Sequence, residues 1–200
     1  MANLWELPKT VSVNGKEYDI RTDFRAVLDV LTALSSKELK TNNKVEKSYI
    51  INRIILEIMF PKYEEIPQED IPQAIEEAVK FIDMDSEKPQ KDSPILMDWE
   101  QDARIIIPAI NNVAGFEIRE KEYLHWWTFL SYYMGIGECT FSHIVGIRSK
   151  KIKGEKLMDW EQKFIKENPD MVLLHEKLTD EEKAERYAEM DEIDKLLGLK

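Results

Sequence analysis

Cysteine is nearly absent. One residue of 200, Cys139, carries a thiol, so no intrachain disulfide can form and a reducing compartment is the expected setting. Basic charge is also short. Lys plus Arg number 28 against 39 Asp plus Glu, a formal net charge of -11 and a pI near 4.9. A surface of that sign repels phosphate backbones and anionic lipid headgroups, which argues against nucleic acid or membrane as the main partner. Long apolar runs are missing as well. The most hydrophobic stretches, 105–110 and 54–60, fall far below the ~20 residues that cross a bilayer. The opening residues MANLWELPKT lack a basic region followed by an apolar one, so no signal peptide is expected and the chain should stay inside the cell that makes it. Neither common Gly-rich phosphate loop occurs, and no repeat at a solenoid-like period is visible.

What is present concentrates in Leu124–Arg148, LHWWTFLSYYMGIGECTFSHIVGIR. Aromatic side chains bury roughly 150–250 Å² each, so this stretch should dominate the core. From Glu122 the residues Tyr123, Trp127, Leu130 and Met134 repeat at helical spacing, with Trp126, Phe129 and Tyr133 as a second stripe. A helix apolar over most of its circumference is buried on several sides. The spacing therefore predicts a central aromatic helix with His125 inside it. Gly135 is expected to end it as a left-handed cap, and Thr140 to cap a short helix carrying Phe141, Ile144, Val145 and Arg148. The outline resembles a helix-turn-helix, but the second helix offers apolar residues where a DNA reader needs polar and basic ones. Two packed core helices are the better reading.

The rest of the chain is also helical in pattern. Asn14-Gly15 predicts a β-hairpin over about 10–20, with Val11, Val13, Tyr18 and Ile20 on one face. Thr22 or Asp23 starts a helix bearing Phe24, Val27, Leu28, Leu31 and Leu34. A second helix runs over 45–59 with Ile50, Ile51, Ile54, Ile55 and Ile58 inward, and Pro61 stops it. A third carries Ile71, Ile75, Ala78, Val79 and Ile82. Residues 83–94 read as an exposed charged loop. Asp98 with Gln101 resembles a capping box for a helix holding Trp99, Ala103, Ile106, Ile107 and Ile110, kinked at Pro108 and ended by Gly115. Residues 148–156, RSKKIKGEK, read as a solvated basic loop, with docking to an acidic partner or to another copy's acidic face as the alternative. A helix over 156–166 follows, broken by Pro169, and the short apolar run 171–174 can finish the core. Thr179 with Glu182 opens a charged terminal helix with a thin stripe of Tyr187, Met190 and Leu197. The fold class is mainly α: residues 1–178 as one helical domain with an N-terminal hairpin, and 179–200 as a terminal helix whose thin stripe can lie on the protein's own body or bind a partner.

Catalytic chemistry finds little support. Cys139 and His143 stand four apart, but no second pair completes a zinc site and no third group orients a nucleophile. No catalytic, cofactor or metal residues are assigned. A pocket around His125, Cys139 or His143 with perturbed titration would point to an enzyme instead.

Four segments carry a resemblance: 13–25 (VNGKEYDIRTDFR), 97–107 (MDWEQDARIII), 115–118 (GFEI) and 124–148. In these the chain resembles the phage tail-region family named after gene product fifteen, from siphophages and prophages of Gram-positive bacteria. The likeness spans about 10–175, with His125, Trp127, Gly135 and Arg148 as its core signature. Asn111–Ala114 departs from the family pattern, and the terminal helix carries none of it. The resemblance implies tail morphogenesis in the host bacterial cytoplasm, as an assembly chaperone holding the tape-measure protein soluble, with no cofactor and with self-association as an option. It supplies no catalytic residues. Partner contact is expected from Trp126, Phe129, Tyr132 and Tyr133, or from Tyr187, Met190 and Leu197, since exposed apolar surface on a charged body suits an apolar client. The rivals are a structural virion component, such as a tail-completion or head–tail joining protein, and a regulator binding a host protein.

Overall fold

A computed structural model describes residues 5–36, 43–84 and 94–174. Strands β1 (Thr10–Val13) and β2 (Lys16–Asp19) pair antiparallel, Val11 opposite Tyr18 and Val13 opposite Lys16. Asn14 at φ 50° and Gly15 at φ 80° supply the two positive dihedrals that a two-residue turn of this hand requires. Val11, Val13, Tyr18 and Ile20 are buried, as the alternation predicts. The hairpin packs on α3 (Ile71–Ile82), and Asn14 reaches the Asp70 and Gln73 side chains there.

Helices α1 (Phe24–Leu34) and α2 (Lys44–Met59) form an antiparallel pair that α3 joins. Asp23 caps α1 by accepting from the Arg25 amide. Val30, fully buried, lies on the inward face of α1 beside Val27. The inward isoleucines of α2 are only partly as expected. Ile55 and Met59 are buried, whereas Ile50, Ile51, Ile54 and Ile58 are half-buried and Val45 and Tyr49 are exposed. The first half of α2 is exposed to solvent among the described residues. Val79 of α3 also lies at the surface, while Ala74 and Phe81 take core positions.

The second half holds α4 (Ala103–Ala114), α5 (Trp126–Met134), α6 (Thr140–Lys153), α7 (Asp159–Glu167) and the single turn α8 (Pro169–Val172). Gly115 ends α4 at φ 76°. One hydrophobic cluster runs from Val11 through α3 and α5 to Phe141, so the segments on both sides of residues 85–93 share it. Those residues, most of the expected loop, lie outside the described set, as does the terminal helix expected from Thr179.

Several expectations need correction. The aromatic helix starts at Trp126, not near Glu122, because His125 forms an isolated β-bridge with Asp23 and residues 124 and 126 are hydrogen-bonded to 24 and 22. Tyr123 is therefore exposed, its hydroxyl 2.7 Å from Thr22 Oγ1, and Met134 is exposed as well. Gly135 is right-handed at φ -79°, not a left-handed cap. Space is its constraint, since a Cβ there would stand 3.0 Å from Val113 Cγ1. Cys139, not Thr140, caps α6, and its amide donates to Ser142 Oγ. Asp98 accepts from the Glu100 and Gln101 amides but caps only a preceding turn, since α4 itself begins at Ala103. Of the basic stretch 148–156, only the last three residues form the expected loop. Helix α6 continues to Lys153 and ends at Gly154, with φ 69°. Three lysines in the last turn oppose the negative end of the helix dipole.

Candidate functional site

The segments that look most distinctive in sequence meet at two junctions. At the first, α1 and α5 begin side by side. Phe24 N–H donates to Leu124 O at 3.0 Å, Trp126 N–H to Thr22 O at 2.7 Å, and Leu124 N–H to the Asp23 carboxylate at 3.0 Å. Arg25 closes the corner, donating to Asp23 and to the carbonyls of Arg119 and Lys121. Phe24 then stacks on Phe129 at 4.7 Å between ring centroids.

His125 is the N-cap of α5 and not an interior helical residue. Its Nδ1 accepts from the Trp127 amide at 3.1 Å, so Nε2 carries the proton and donates to Pro8 O at 2.9 Å. Burial pushes its pKa below the ordinary value, and the nearby Lys9 acts in the same direction against the Pro8 bond. Both ring nitrogens are engaged within the fold, so the arrangement holds structure together and leaves no nitrogen for a substrate.

Adjacent Trp126 and Trp127 point their indole N–H groups at the end of α3. They donate to Ile82 O at 2.8 Å and Phe81 O at 2.9 Å, satisfying carbonyls of a helix terminus that have no partner within the helix. Trp126 stacks on Phe129, and Trp99 lies against Trp126, Phe129 and Tyr133. Trp126 and Phe129 are each 2% exposed. They belong to the core, which removes them as partner-binding surface.

The second junction is built on Arg148, 4% exposed. All five guanidinium donors have acceptors. Nη1 and Nη2 grip the Asp102 carboxylate at 2.6 and 2.8 Å, and Asp102 is itself 2% exposed. The remaining bonds reach Val172 O at 2.8 Å, Met171 O at 2.9 Å and Leu96 O at 3.0 Å. One side chain of α6 thus ties together α4, α8 and the irregular segment before Met97. Asp102, 46 positions away, was not recognisable as its partner, because nothing local in the sequence marks a long-range ion pair. Nearby, Glu161 is held below the usual carboxylate range by Lys150, 2.7 Å away, and by the Met158 amide.

Tyr132 and Tyr133 are half-buried. Tyr133 donates to Met97 Sδ at 3.0 Å, and burial beside Asp102 raises its pKa. Tyr132 meets Phe116 edge-on at 5.9 Å. Val113, 38% exposed, brings its Cγ1 close to Gly135, so the C-terminal ends of α4 and α5 meet here, and Met134, 66% exposed, ends α5. Cys139 is half-buried and His143 faces Trp160 at 6.0 Å. No group of three possible ligands that could hold a metal lies among the described residues. Among them, too, no helix is long and apolar enough to cross a membrane. Tyr187, Met190 and Leu197 lie outside the described residues.

No curated protein and no solved structure matches the chain. The family described as bacteriophage Gp15 protein matches residues 4–174, which takes in both junctions, the hairpin and all eight helices found among the described residues, and stops before the charged terminal segment. The chain belongs to the bacteriophage Gp15 protein family.

Proposed function

We propose that this protein is a tail assembly chaperone that keeps the tape-measure protein soluble until the tail tube forms around it. Membership of the family makes it a phage structural or morphogenesis protein that acts with other phage proteins. The finer reading is carried by apolar side chains at the C-terminal ends of α4 and α5, exposed Val113 and Met134 with half-buried Phe116 and Tyr132, on a body of net charge -11. A client helix with one apolar side needs a matching surface, and the complex needs excess charge to stay dispersed. Met134 suits such a role because an unbranched thioether side chain adapts to varied partners. These side chains take over the role expected of Trp126 and Phe129, which are enclosed.

Co-expression with the tape-measure protein encoded in the same phage tests this. The expected result is a soluble complex by pull-down and light scattering, with the tape measure insoluble when made alone. Recovery of this chain at fixed copy number in purified virions, with no rescue of the tape measure, would instead make it a structural component.

A further inference from the structure

The Arg148 junction gathers apolar side chains that nothing in the described fold covers. Arg148 holds the carbonyls of Leu96, Met171 and Val172, which brings residues 95–96 and 171–173 around one guanidinium. Ile95 is 77% exposed next to Leu96, and Met171 and Leu173, on the other segment that Arg148 holds, are 37% and 42% exposed. Ile152, 55% exposed, lies four residues beyond Arg148 on the same side of α6. Exposed Lys151, Lys153 and Lys156 border this face at the end of α6, with Glu155 and Asp170 as its acidic neighbours.

We propose that this face is the docking seat of the chain's own C-terminal segment, 179–200. The described chain ends at Leu174, directly after the residues that Arg148 anchors. The four residues 175–178 span at most about 14 Å, enough to return the segment to that face and too few to carry it far away. A tether this short holds the segment at an effective concentration of about millimolar, so even weak complementarity suffices. Charge complementarity is present: residues 179–200 carry eight Asp plus Glu against four Lys plus Arg, facing the lysines that end α6. Apolar complementarity is present too, with Tyr187, Met190, Ile193 and Leu197 at near-helical spacing to lie on Ile95, Ile152, Met171 and Leu173.

Zero-length carbodiimide cross-linking of the full chain, read by peptide mass spectrometry, tests this. An equal mixture of unlabelled and heavy-nitrogen-labelled chains separates cross-links within a chain from those between chains. The expected result is amide links from Lys151, Lys153 or Lys156 to acidic residues of 180–194, within single chains, at least threefold weaker in Ile152→Glu and in Met190→Asp. Ile152 lies outside the buried core, and unchanged thermal melting checks that both variants leave the fold intact. Absence of these links, links only in mixed-isotope pairs, or yields unaffected by either substitution would each overturn the proposal. The outcome is independent of whether the tape measure is the client.

Discussion

Replacing Arg148 by Met removes five donated hydrogen bonds and leaves the Asp102 carboxylate buried without its counter-charge. Asp102 keeps one acceptor bond, from the Asp98 amide at 3.0 Å, which is far from compensating a full charge at 2% exposure. Breaking a buried ion pair on one side costs about 3–5 kcal/mol. The freed carbonyls of Leu96, Met171 and Val172 add to this wherever water does not reach them. At about 2–4 °C per kcal/mol for a chain of this size, Tm should fall by roughly 6–20 °C. Arg148→Lys keeps the charge but offers three donors for five acceptor bonds and cannot grip the carboxylate with a planar fork, so it should fall between. The decisive assay is a double-mutant cycle by urea denaturation with Asp102→Asn. That single change leaves a guanidinium buried without its counter-ion, while the double mutant removes both charges. The double mutant should therefore be at least about 2 kcal/mol less destabilised than the sum of the singles. A loss below about 1 kcal/mol in Arg148→Met, or additivity within about 0.5 kcal/mol, would refute the view that this pair holds α4, α6 and α8 together.

Acid should act in two stages. The pKa of His125 is depressed in the fold, so below about pH 6.5 the unfolded chain takes up a proton that the native state refuses. Stability then falls as pH drops, by at most about 1.4 kcal/mol per pH unit, until the folded pKa is reached. Urea titrations of His125→Asn, which keeps a capping acceptor, should lack this limb; if the limb persists, another group causes it. Glu117, whose pKa is drawn down to about 2 by hydrogen bonding with Arg119 and Asn111, adds a loss that begins near pH 4.5 and ends near pH 2. Glycine substitutions should separate dihedral from space: Gly115→Ala should cost about 1–2 kcal/mol because φ is 76°. In contrast, Gly135→Ala should be relieved by Val113→Ala, the pair gaining about 0.4–1 kcal/mol over Val113→Ala alone. Equal penalties in thermal melts at the two glycines would contradict this. Met134→Asp, at an exposed site, should leave stability within about 0.5 kcal/mol and lower co-purified tape measure several-fold; undiminished co-purification would remove Met134 from the interface.

Local chemistry made much of the architecture legible in sequence. Asn14-Gly15 determines the hairpin and its register, because few other pairs accept positive φ twice in succession. The helical class, the stops at Pro61 and Gly115 and the cap at Asp23 also follow from neighbours a few residues apart. Tertiary structure decided what neighbours cannot encode. The aromatic helix lost its first turn because residues 124–126 found backbone partners a hundred positions earlier, at 22–24. Trp126 and Phe129 went into the core and not onto the surface, because α1, α3 and Trp99 close over them. Arg148 stands in sequence only as the end of a short helix beside a basic run, yet it is the most enclosed cation among the described residues, since Asp102 arrives from the start of another helix. Periodicity reports which residues want to leave water; only the assembled fold determines which of them find a partner, and which remain outside for another molecule to cover.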